Sequence, residues 1–276
     1  DAGANAVSGG SGVDQFVGLT ARQYEVSDDQ LVLVGDQQWS NIENWQASDA
    51  ADVLLWRATG RIAGEFKLAG GDDVIEFDQG LGTNIASLLD MGTGADRVTV
   101  FGDARLILQP AAGELTLNGS LLRGAQRFSF SGAGGVVEAD QSLVWQLTGI
   151  SAELDVNALR FEGVDSVLSR GENDRLRASD NNTVIQVELG PDIAVAGGIR
   201  FIGMENIEGG AGADTINFDD NAVLSGGVSG GGGNDIFNNV GDTSVAGNIA
   251  GNDGNDTFNI SGTLISGILQ GGAGDD

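Results

Sequence analysis

Four aspartates near the C-terminus stand at nearly equal intervals, each closing a glycine-rich segment. Asp214, Asp235, Asp256 and Asp276 are 21, 21 and 20 residues apart, and each is the sixth residue of a segment such as GGAGAD or GGGGND. Calcium is a hard cation that takes about 6–8 oxygen ligands from carboxylates and main-chain carbonyls. Because glycine permits turns that aim successive carbonyls at one point, the pattern predicts a calcium site at each loop.

A hydrophobic residue follows two places after each of the first three aspartates, at Ile216, Phe237 and Phe258. The alternation from Asp214 to Phe218 predicts a β-strand with Ile216 and Phe218 on one face. One loop supplies only part of a calcium coordination shell, so we expect ions between the loops of successive coils. A fixed period of this length is typical of a β-solenoid, and stacked loops would then form a column of metal sites.

The stretch from Glu208 to Asp276 resembles the RTX, or hemolysin-type calcium-binding repeat, family of secreted bacterial proteins. The resemblance implies an all-β, right-handed parallel β-solenoid (a β-helix or β-roll) that binds Ca²⁺. The motif returns every 20 or 21 residues instead of the 18 usual in the family, which suggests about 20 residues per coil, one metal column and a three-sided coil. The predicted metal positions are Gly209, Gly210, Gly212, Asp214, Gly230, Gly231, Gly233, Asp235, Gly251, Asn252, Asp253, Gly254, Asp256, Gly271, Gly272, Gly274, Asp276, Asp73 and Asp96.

Weaker copies of the motif extend the repeat toward the N-terminus. A loop ends at Asp14, and Asp52, Asp73 and Asp96 follow at similar spacing, although the loop before Asp52 lacks glycine. A longer pattern places an acid nine residues before an aspartate, as Glu205 stands before Asp214. Other copies contain Glu43, Asp165 and, in eroded form, Gln126.

Together these positions predict about fourteen coils of one solenoid, of which two, near residues 34 and 115, carry no motif. We assign residues 1–204 to degenerate coils with few metal loops and residues 205–276 to RTX-type calcium-binding coils of the same solenoid. The expected hydrophobic ladder consists of Phe16, Leu54, Ile75, Val98, Val137, Leu176, Ile216, Phe237 and Phe258.

Composition restricts the partners. Forty acidic and thirteen basic residues give a net charge of −27, which disfavours nucleic acid and anionic membranes. No apolar run approaches the length of a membrane span. Cysteine is absent, so bound metal is the expected substitute for disulfide cross-links. No polar cap is recognisable at either end, which predicts end-to-end self-association or continuation into a longer chain.

An enzymatic interpretation remains as the alternative. Parallel β-helices include polysaccharide lyases and epimerases, so this chain could be a catalytic or non-catalytic module of such a secreted enzyme. Its residues would be Asp72, Asp73 and Glu76 with Arg57 or Arg61. The competing interpretation places the two aspartates in a degenerate metal loop and the others on an exposed strand face.

Three tryptophans allow two interpretations as well. Trp39, Trp45 and Trp56 could form a sugar-stacking patch, but their positions in the repeat favour core packing. With no histidine in the chain, the usual zinc sites and nucleophilic triads are unsupported. We therefore expect a non-enzymatic, secreted calcium-binding solenoid, a structural or adhesive part of a bacterial surface, matrix, fibre or S-layer-like protein. Millimolar calcium outside cells can fill weak sites.

Overall fold

The computed structural model describes residues 6–18, 20, 22–28, 31–35, 37–57, 59–78, 85–101, 104–109, 114–117, 120–131, 135–139, 141–149, 153–156, 159–239 and 241–276. Within these ranges all regular secondary structure is β, which confirms the all-β prediction. None of the described residues forms a helix of the length and apolar character that crossing a membrane requires.

The first half of the chain contains β1 (Ala6–Ser8), β2 (Gln15–Val17), β3 (Gln23–Asp28), β4 (Leu31–Val34), β5 (Gln37–Ser40), β6 (Asn44–Gln46), β7 (Val53–Trp56), β8 (Glu65–Lys67), β9 (Val74–Phe77), β10 (Leu88–Asp90), β11 (Arg97–Phe101), β12 (Ala104–Gln109), β13 (Glu114–Leu117), β14 (Ser120–Arg123), β15 (Arg127–Ser131) and β16 (Gly135–Ala139). The second half contains β17 (Val144–Leu147), β18 (Glu153–Val156), β19 (Leu159–Glu162), β20 (Ser166–Ser169), β21 (Arg175–Arg177), β22 (Val184–Val187), β23 (Gly190–Pro191), β24 (Ile193–Ala196), β25 (Ile199–Ile202), β26 (Asn206–Glu208), β27 (Thr215–Phe218), β28 (Ala222–Leu224), β29 (Val228–Gly232), β30 (Ile236–Asn239), β31 (Thr243–Val245), β32 (Ile249–Asp253), β33 (Thr257–Asn259), β34 (Thr263–Ile265) and β35 (Leu269–Ala273).

The chain divides into two compact units. Unit 1 comprises Asp1–Val136 with Phe161–Gly163, and unit 2 comprises Val137–Arg160 with Val164–Asp276. The predicted boundary between residues 204 and 205 was based on metal loops, and it stays a prediction.

Unit 1 contains strands of two sheets, and the chain alternates between them from β6 to β11. The first sheet has the order β1-β5-β4-β3-β7-β9-β11-β15, and the second has β2-β6-β8-β10-β14-β13-β12. Strands one repeat apart pair in parallel, as Leu54 with Ile75 and Ile75 with Val98. The rings of Tyr24, on the first sheet, and Phe66, on the second, lie 5.5 Å apart. The core of unit 1 therefore lies between its two sheets.

Unit 2 adds a third, shorter sheet. Its first sheet runs β18-β17-β21-β26-β29-β32-β35, its second runs β20-β25-β24-β22-β27-β30-β33, and its third is β23-β28-β31-β34. From β26 onward the chain visits the three sheets in turn, and all pairs between successive visits are parallel. Phe237 pairs with Ile216 on one side and Phe258 on the other.

Antiparallel meanders interrupt the parallel order, and they correct one expectation. Residue 34 lies in β4, which pairs antiparallel with β3 and β5, and residue 115 lies in β13, which pairs antiparallel with β12 and β14. Unit 2 has antiparallel pairs at β17–β18 and across β22, β24 and β25. These stretches are therefore not motif-free parallel coils. Antiparallel neighbours need only a short turn, whereas parallel neighbours need a long connection.

The predicted hydrophobic ladder points inward, but it is distributed over two sheets. Seven of its members are buried, and Phe16 and Phe258 are partly exposed. Leu54, Ile75, Val98 and Leu176 lie on first-sheet strands, whereas the other members lie on second-sheet strands. Burial of each such side chain contributes about 1.5–3 kcal/mol. The ladder thus stabilises the coils whether or not metal is bound.

Candidate metal centre

In unit 1, aspartates at the turn before the first sheet form a ladder with the main chain. Asp73 Oδ1 accepts a hydrogen bond from the main-chain N–H of Asp52 at 2.7 Å, and Asp96 Oδ1 accepts one from Asp73 at 2.9 Å. The N–H of Arg22 donates to Asp52 Oδ1 at 2.6 Å. All three aspartates are buried. Each carboxylate therefore accepts a hydrogen bond from a main-chain N–H group of the turn that precedes the neighbouring strand of the sheet.

In unit 2 the same ladder is formed by the four aspartates of the glycine loops. Asp235 Oδ1 accepts from the N–H of Asp214 at 2.7 Å, Asp256 Oδ1 from Asp235 at 2.8 Å, and Asp276 Oδ1 from Asp256 at 2.9 Å. Asp214 Oδ1 in turn accepts from the N–H of Thr183 at 2.7 Å. The predicted alignment of these loops is therefore present in the structure.

The residue before each aspartate forms a parallel, more exposed ladder. Asn234 Oδ1 accepts from the N–H of Asn255 at 2.8 Å, and Asn255 Oδ1 accepts from Asp275 at 3.0 Å. Asp72 Oδ1 does the same for Ala95 in unit 1, at 2.9 Å. The consecutive polar residues of the motif thus have a structural role, since both main-chain N–H groups of the turn find acceptors.

The motif aspartates of the chain do not all precede strands of one sheet. Asp52, Asp73 and Asp96 precede the first-sheet strands β7, β9 and β11. Asp214 and Asp235 precede the second-sheet strands β27 and β30. Asp14 and Asp256 also precede second-sheet strands, and Asp174 precedes a first-sheet strand. The motif aspartates therefore occupy two different kinds of turn, because each meander changes which sheet the next motif precedes. The single metal column stays a prediction for the C-terminal loops.

Three longer side chains complete the ladders where a meander lengthens the connection. Glu43 Oε2 accepts from the N–H of Asp14 at 2.8 Å, and Glu205 Oε2 accepts from Asp174 at 2.6 Å. Gln126 Oε1 accepts from Asp96 at 2.6 Å. Donor and acceptor are 29–31 residues apart in these bonds, against 21 in the regular repeat. The sequence pattern of an acid nine residues before an aspartate had marked Glu43 and Glu205, with Gln126 as an eroded copy. The sequence analysis did not predict that these side chains accept main-chain hydrogen bonds.

The second carboxylate oxygens distinguish two kinds of aspartate. Asp52 Oδ2 accepts from the N–H and the hydroxyl of Ser48, both at 3.0 Å, and Asp214 Oδ2 accepts from Gly210 at 2.8 Å. By contrast, Asp73 Oδ2 and Asp235 Oδ2 are buried and lack any hydrogen-bond partner in the described part of the chain. The same holds for Oδ2 of Asp14, Asp96, Asp174 and Asp256. A buried anionic oxygen without a donor or cation is costly, so these oxygens are suited to a metal ion.

Glycine is required beside these carboxylates. A Cβ atom at Gly230 would lie 2.2 Å from Asp235 Oδ2 and 2.8 Å from the carbonyl oxygen of Gly251. A Cβ atom at Gly251 would similarly meet Asp256 Oδ2 at 2.0 Å and Gly271 O at 2.6 Å. The carboxylate and the carbonyl of the following loop therefore approach the same small space. This convergence of oxygens fits a hard cation.

The remaining predicted positions lie in the same loops. Gly209, Gly210 and Gly212 belong to the Asp214 turn, where a Cβ atom at Gly212 would meet the main chain of Asn181 and Asn182. The following glycines adopt positive φ values, between 101° and 155°: Gly231, Gly233, Gly254, Gly272 and Gly274. Asn252 also has positive φ, at 77°, and Asp253 ends β32. Asp276 is exposed, unlike the other three loop aspartates.

Burial and crowding of like charges raise the carboxyl pKa values. Burial, with the neighbouring Asp96 and Asp52 charges, raises the pKa of Asp73 to about 7. Burial also raises the pKa of Asp235 to about 6, and the charges of Asp214 and Asp256 add to this. The pKa values of Asp96 and Asp214 are raised by burial in the same direction. Each of these carboxylates would gain from a bound cation.

The C-terminal stretch is strongly acidic and contains no basic residue of its own. Residues 201–276 contain eleven acidic side chains and no lysine or arginine. Among the described residues, no group of three or more acidic side chains lies close enough together to hold a metal by itself. Any ion bound at these turns must therefore take main-chain carbonyls as well as carboxylates, as glycine loops allow.

Asp73 and Glu76, two residues of the alternative catalytic set, lie in different surroundings. Asp73 is buried in its turn, while Glu76 points outward from β9, on the face opposite Ile75. Arg57 is held in ion pairs with Glu25 at 3.1 Å and Asp78 at 3.3 Å. The degenerate-loop interpretation agrees with the position of Asp73, and the enzymatic alternative stays a prediction.

Two of the three tryptophans singled out in the sequence lie in the core of unit 1. Trp45 and Trp56 are buried. Trp39 is partly exposed, and its ring lies 4.9 Å from that of Phe16. The core-packing interpretation is confirmed for the two buried rings, and no sugar-stacking patch of three is formed.

Neither the scan against protein-family models nor the search of curated proteins finds a match to this chain.

Proposed function

We propose that this chain is a calcium-binding structural β-solenoid, right-handed and with about 20 residues per coil in its regular part. The observation that carries the proposal is the set of buried Oδ2 atoms without partners, at Asp73, Asp96, Asp235 and Asp256. The carboxylates of these residues, with glycine carbonyls of the adjoining loops, would hold the ions. Bound calcium would supply positive charge at turns that otherwise bring carboxylates together.

Calcium would act on the two sets of turns to different extents. The turns of Asp235 and Asp256 lie in the stretch without any lysine or arginine, and glycines dominate their loops. The turns of Asp73 and Asp96 lie in unit 1, whose core contains large buried rings such as Trp45, Trp56 and Phe66. Folding of residues 205–276 is therefore coupled to metal more strongly than folding of unit 1.

The role that follows is mechanical support outside the cell. A stack of coils whose turns require calcium is rigid where calcium is millimolar and loose where it is scarce. This fits a secreted structural or adhesive element of a surface, matrix, fibre or S-layer-like assembly. It also fits the absence of cysteine, since calcium would replace disulfides as the cross-link.

The test is a calcium titration of chelator-treated protein, followed by far-UV circular dichroism, sedimentation and calorimetry. We expect β-structure and compactness to increase together as calcium binds. A rise in sedimentation coefficient with concentration would support the predicted self-association. A matched pair of variants gives the control. Asp73→Asn should reduce the number of ions bound, whereas Asp52→Asn should not, because both oxygens of Asp52 already accept protein hydrogen bonds.

A further inference from the structure

The outer face of the first sheet of unit 2 carries a groove across β21, β26, β29 and β32. Its volume is about 520 Å³. Arg175, Asn206, Glu208, Ser229 and Asn248 are among its lining residues. A volume of this size is within the range of about 300–1,000 Å³ found for small-ligand sites. None of the predicted metal ligands lines this groove.

The groove results from a change in side-chain size between neighbouring strands. Glu208 of β26 pairs in register with Ser229 of β29, and Ser229 with Ala250 of β32. On the other side, Glu208 pairs with Arg177 of β21. The long side chains of β21 and β26 therefore lie beside the short side chains of β29 and β32 on the same face of the sheet. Since adjacent strands are about 4.8 Å apart, the low part of the surface is wide enough for a sugar ring.

The floor of the groove leaves the main chain accessible. Gly226, Gly227 and Gly247 lie along it. Packing enforces two of these glycines, because a Cβ atom at Gly226 would lie 2.3 Å from the carbonyl oxygen of Glu205, and one at Gly247 would lie 2.7 Å from Gly226. A ligand in the groove can thus approach main-chain groups directly.

The polar side chains of the groove are held in fixed positions. Asn248 Oδ1 accepts from the N–H of Ile268 at 2.8 Å, and Asn206 Oδ1 accepts from Gly227 at 3.2 Å. Ser229 Oγ accepts from Asn252 Nδ2 at 2.6 Å. The amide hydrogens of Asn248 have no partner among the residues that the structure describes. The groove therefore presents oriented amide and hydroxyl groups.

Charge selects against an anionic ligand. Both arginines beside the groove are engaged by Glu208, Arg175 at 3.0 Å and Arg177 at 3.5 Å. The rest of the lining is uncharged, and the whole chain has a net charge of −27 that repels anions at a distance. We propose that this groove binds a neutral oligosaccharide, whose hydroxyl groups exchange hydrogen bonds with Asn248, Asn206, Ser229 and the glycine main chain.

The test uses the full chain in saturating calcium with three neutral probes, cellohexaose, maltohexaose and a mannohexaose, and with one anionic oligouronate for comparison, and measures binding by calorimetry. At least one probe should bind in the millimolar range or tighter. Ser229→Tyr fills the groove, and Asn248→Asp keeps the oxygen that accepts from Ile268 while removing the amide donor. Each should weaken binding at least about tenfold. The control is Ser244→Tyr, at the outward-facing serine of β31 in the third sheet, which should bind as wild type does.

Several results would overturn the proposal. These are no binding of any probe by folded wild-type protein, equal binding by wild type and Ser229→Tyr, or binding only of an oligouronate with steep salt dependence. Circular dichroism of each variant shows whether it is folded. If Ser229→Tyr does not fold, Asn248→Asp decides the outcome. The groove residues are not proposed metal ligands, so the absence of sugar binding would not contradict the calcium proposal. Conversely, a protein that does not bind calcium could still bind the sugar.

Discussion

The main-chain N–H of Asp214 donates to Asp235 Oδ1 at 2.7 Å, across 21 residues of sequence. The second oxygen of the same carboxylate, Oδ2, is buried and has no partner among the described residues. One side chain therefore has two roles, and its two oxygens can be tested separately. The first oxygen supports the stack of strands, and the second is available to a cation.

Substitution at Asp235 separates the hydrogen bond from the metal. Asp235→Asn keeps an oxygen for the Asp214 N–H but removes a charge that burial disfavours, so metal-free stability near pH 7 should be retained or raised while calcium adds less stability. Asp235→Ala also leaves a buried N–H unpaired, which costs about 1–3 kcal/mol even without metal. Urea unfolding with chelator and with calcium measures both effects. Equal stabilisation of wild type and Asp235→Asn by calcium would contradict the metal role.

Lowering the pH should stabilise the metal-free protein. The folded-state pKa values of Asp73, about 7, and Asp235, about 6, lie above the roughly 3.9 of an unfolded aspartate. The native state therefore binds protons more tightly, so their contribution to the free energy of unfolding is complete below about pH 4 and is lost as the pH rises to about 7.

Thermal unfolding in chelator at several pH values measures this dependence. Relief of the −27 net charge acts in the same direction, so the slope must be compared with that of the Asp73→Asn, Asp235→Asn double variant. The variant should show a shallower dependence. An identical slope would show that these two carboxyls do not titrate as their burial implies.

Glu205 should be replaceable by glutamine but not by alanine. Its Oε2 accepts from the N–H of Asp174 at 2.6 Å, and Gln126 performs the same task for Asp96 with a neutral amide oxygen. Glu205→Gln should therefore retain or slightly raise stability, because burial, with the neighbouring Asp174 charge, raises the pKa of Glu205. Glu205→Ala should cost about 1–3 kcal/mol in urea unfolding. Equal losses in both variants would mean that the charge, and not the acceptor, matters.

Phe237 should be essential for the stability of the C-terminal coils. Its ring is fully buried and stacks on Phe258 at 4.8 Å, with the ring planes 7° apart. Phe237→Ala should cost about 3–5 kcal/mol. The adjacent Ile236 is 38% exposed on the other face of β30, and Ile236→Ala should cost far less. Denaturant midpoints in saturating calcium compare the two, and similar losses would contradict the inward orientation of Phe237.

Gly254 should not tolerate a side chain. Its φ is 138°, and a Cβ atom would lie 1.6 Å from the carbonyl oxygen of Gly233 in the preceding loop. Gly254→Ala should cost at least about 1–3 kcal/mol from backbone strain, measured by thermal unfolding. Gly10→Ala is the matched control, since nothing lies within 4 Å of a Cβ atom there. Equal unfolding temperatures of the two variants would contradict the close approach between the Gly254 and Gly233 loops.

The sequence by itself determined the all-β class, the repeat period and most of the buried ladder. Ile216 and Phe237 were found from their place after Asp214 and Asp235, because a two-residue alternation and a 21-residue period are local properties. The glycines of those loops were also found from the sequence, because turns that need a positive φ favour glycine.

Only the tertiary structure decided which turns meet. Parallel and antiparallel strands show the same alternation of side chains, so the sequence around residues 34 and 115 did not reveal β4 and β13 as members of meanders. Those meanders place Asp73 before the first sheet and Asp235 before the second, and they bring Glu205 to the N–H of Asp174, 31 residues away. Such pairings depend on which strands lie side by side. The spacing of residues along the chain does not determine which strands become neighbours.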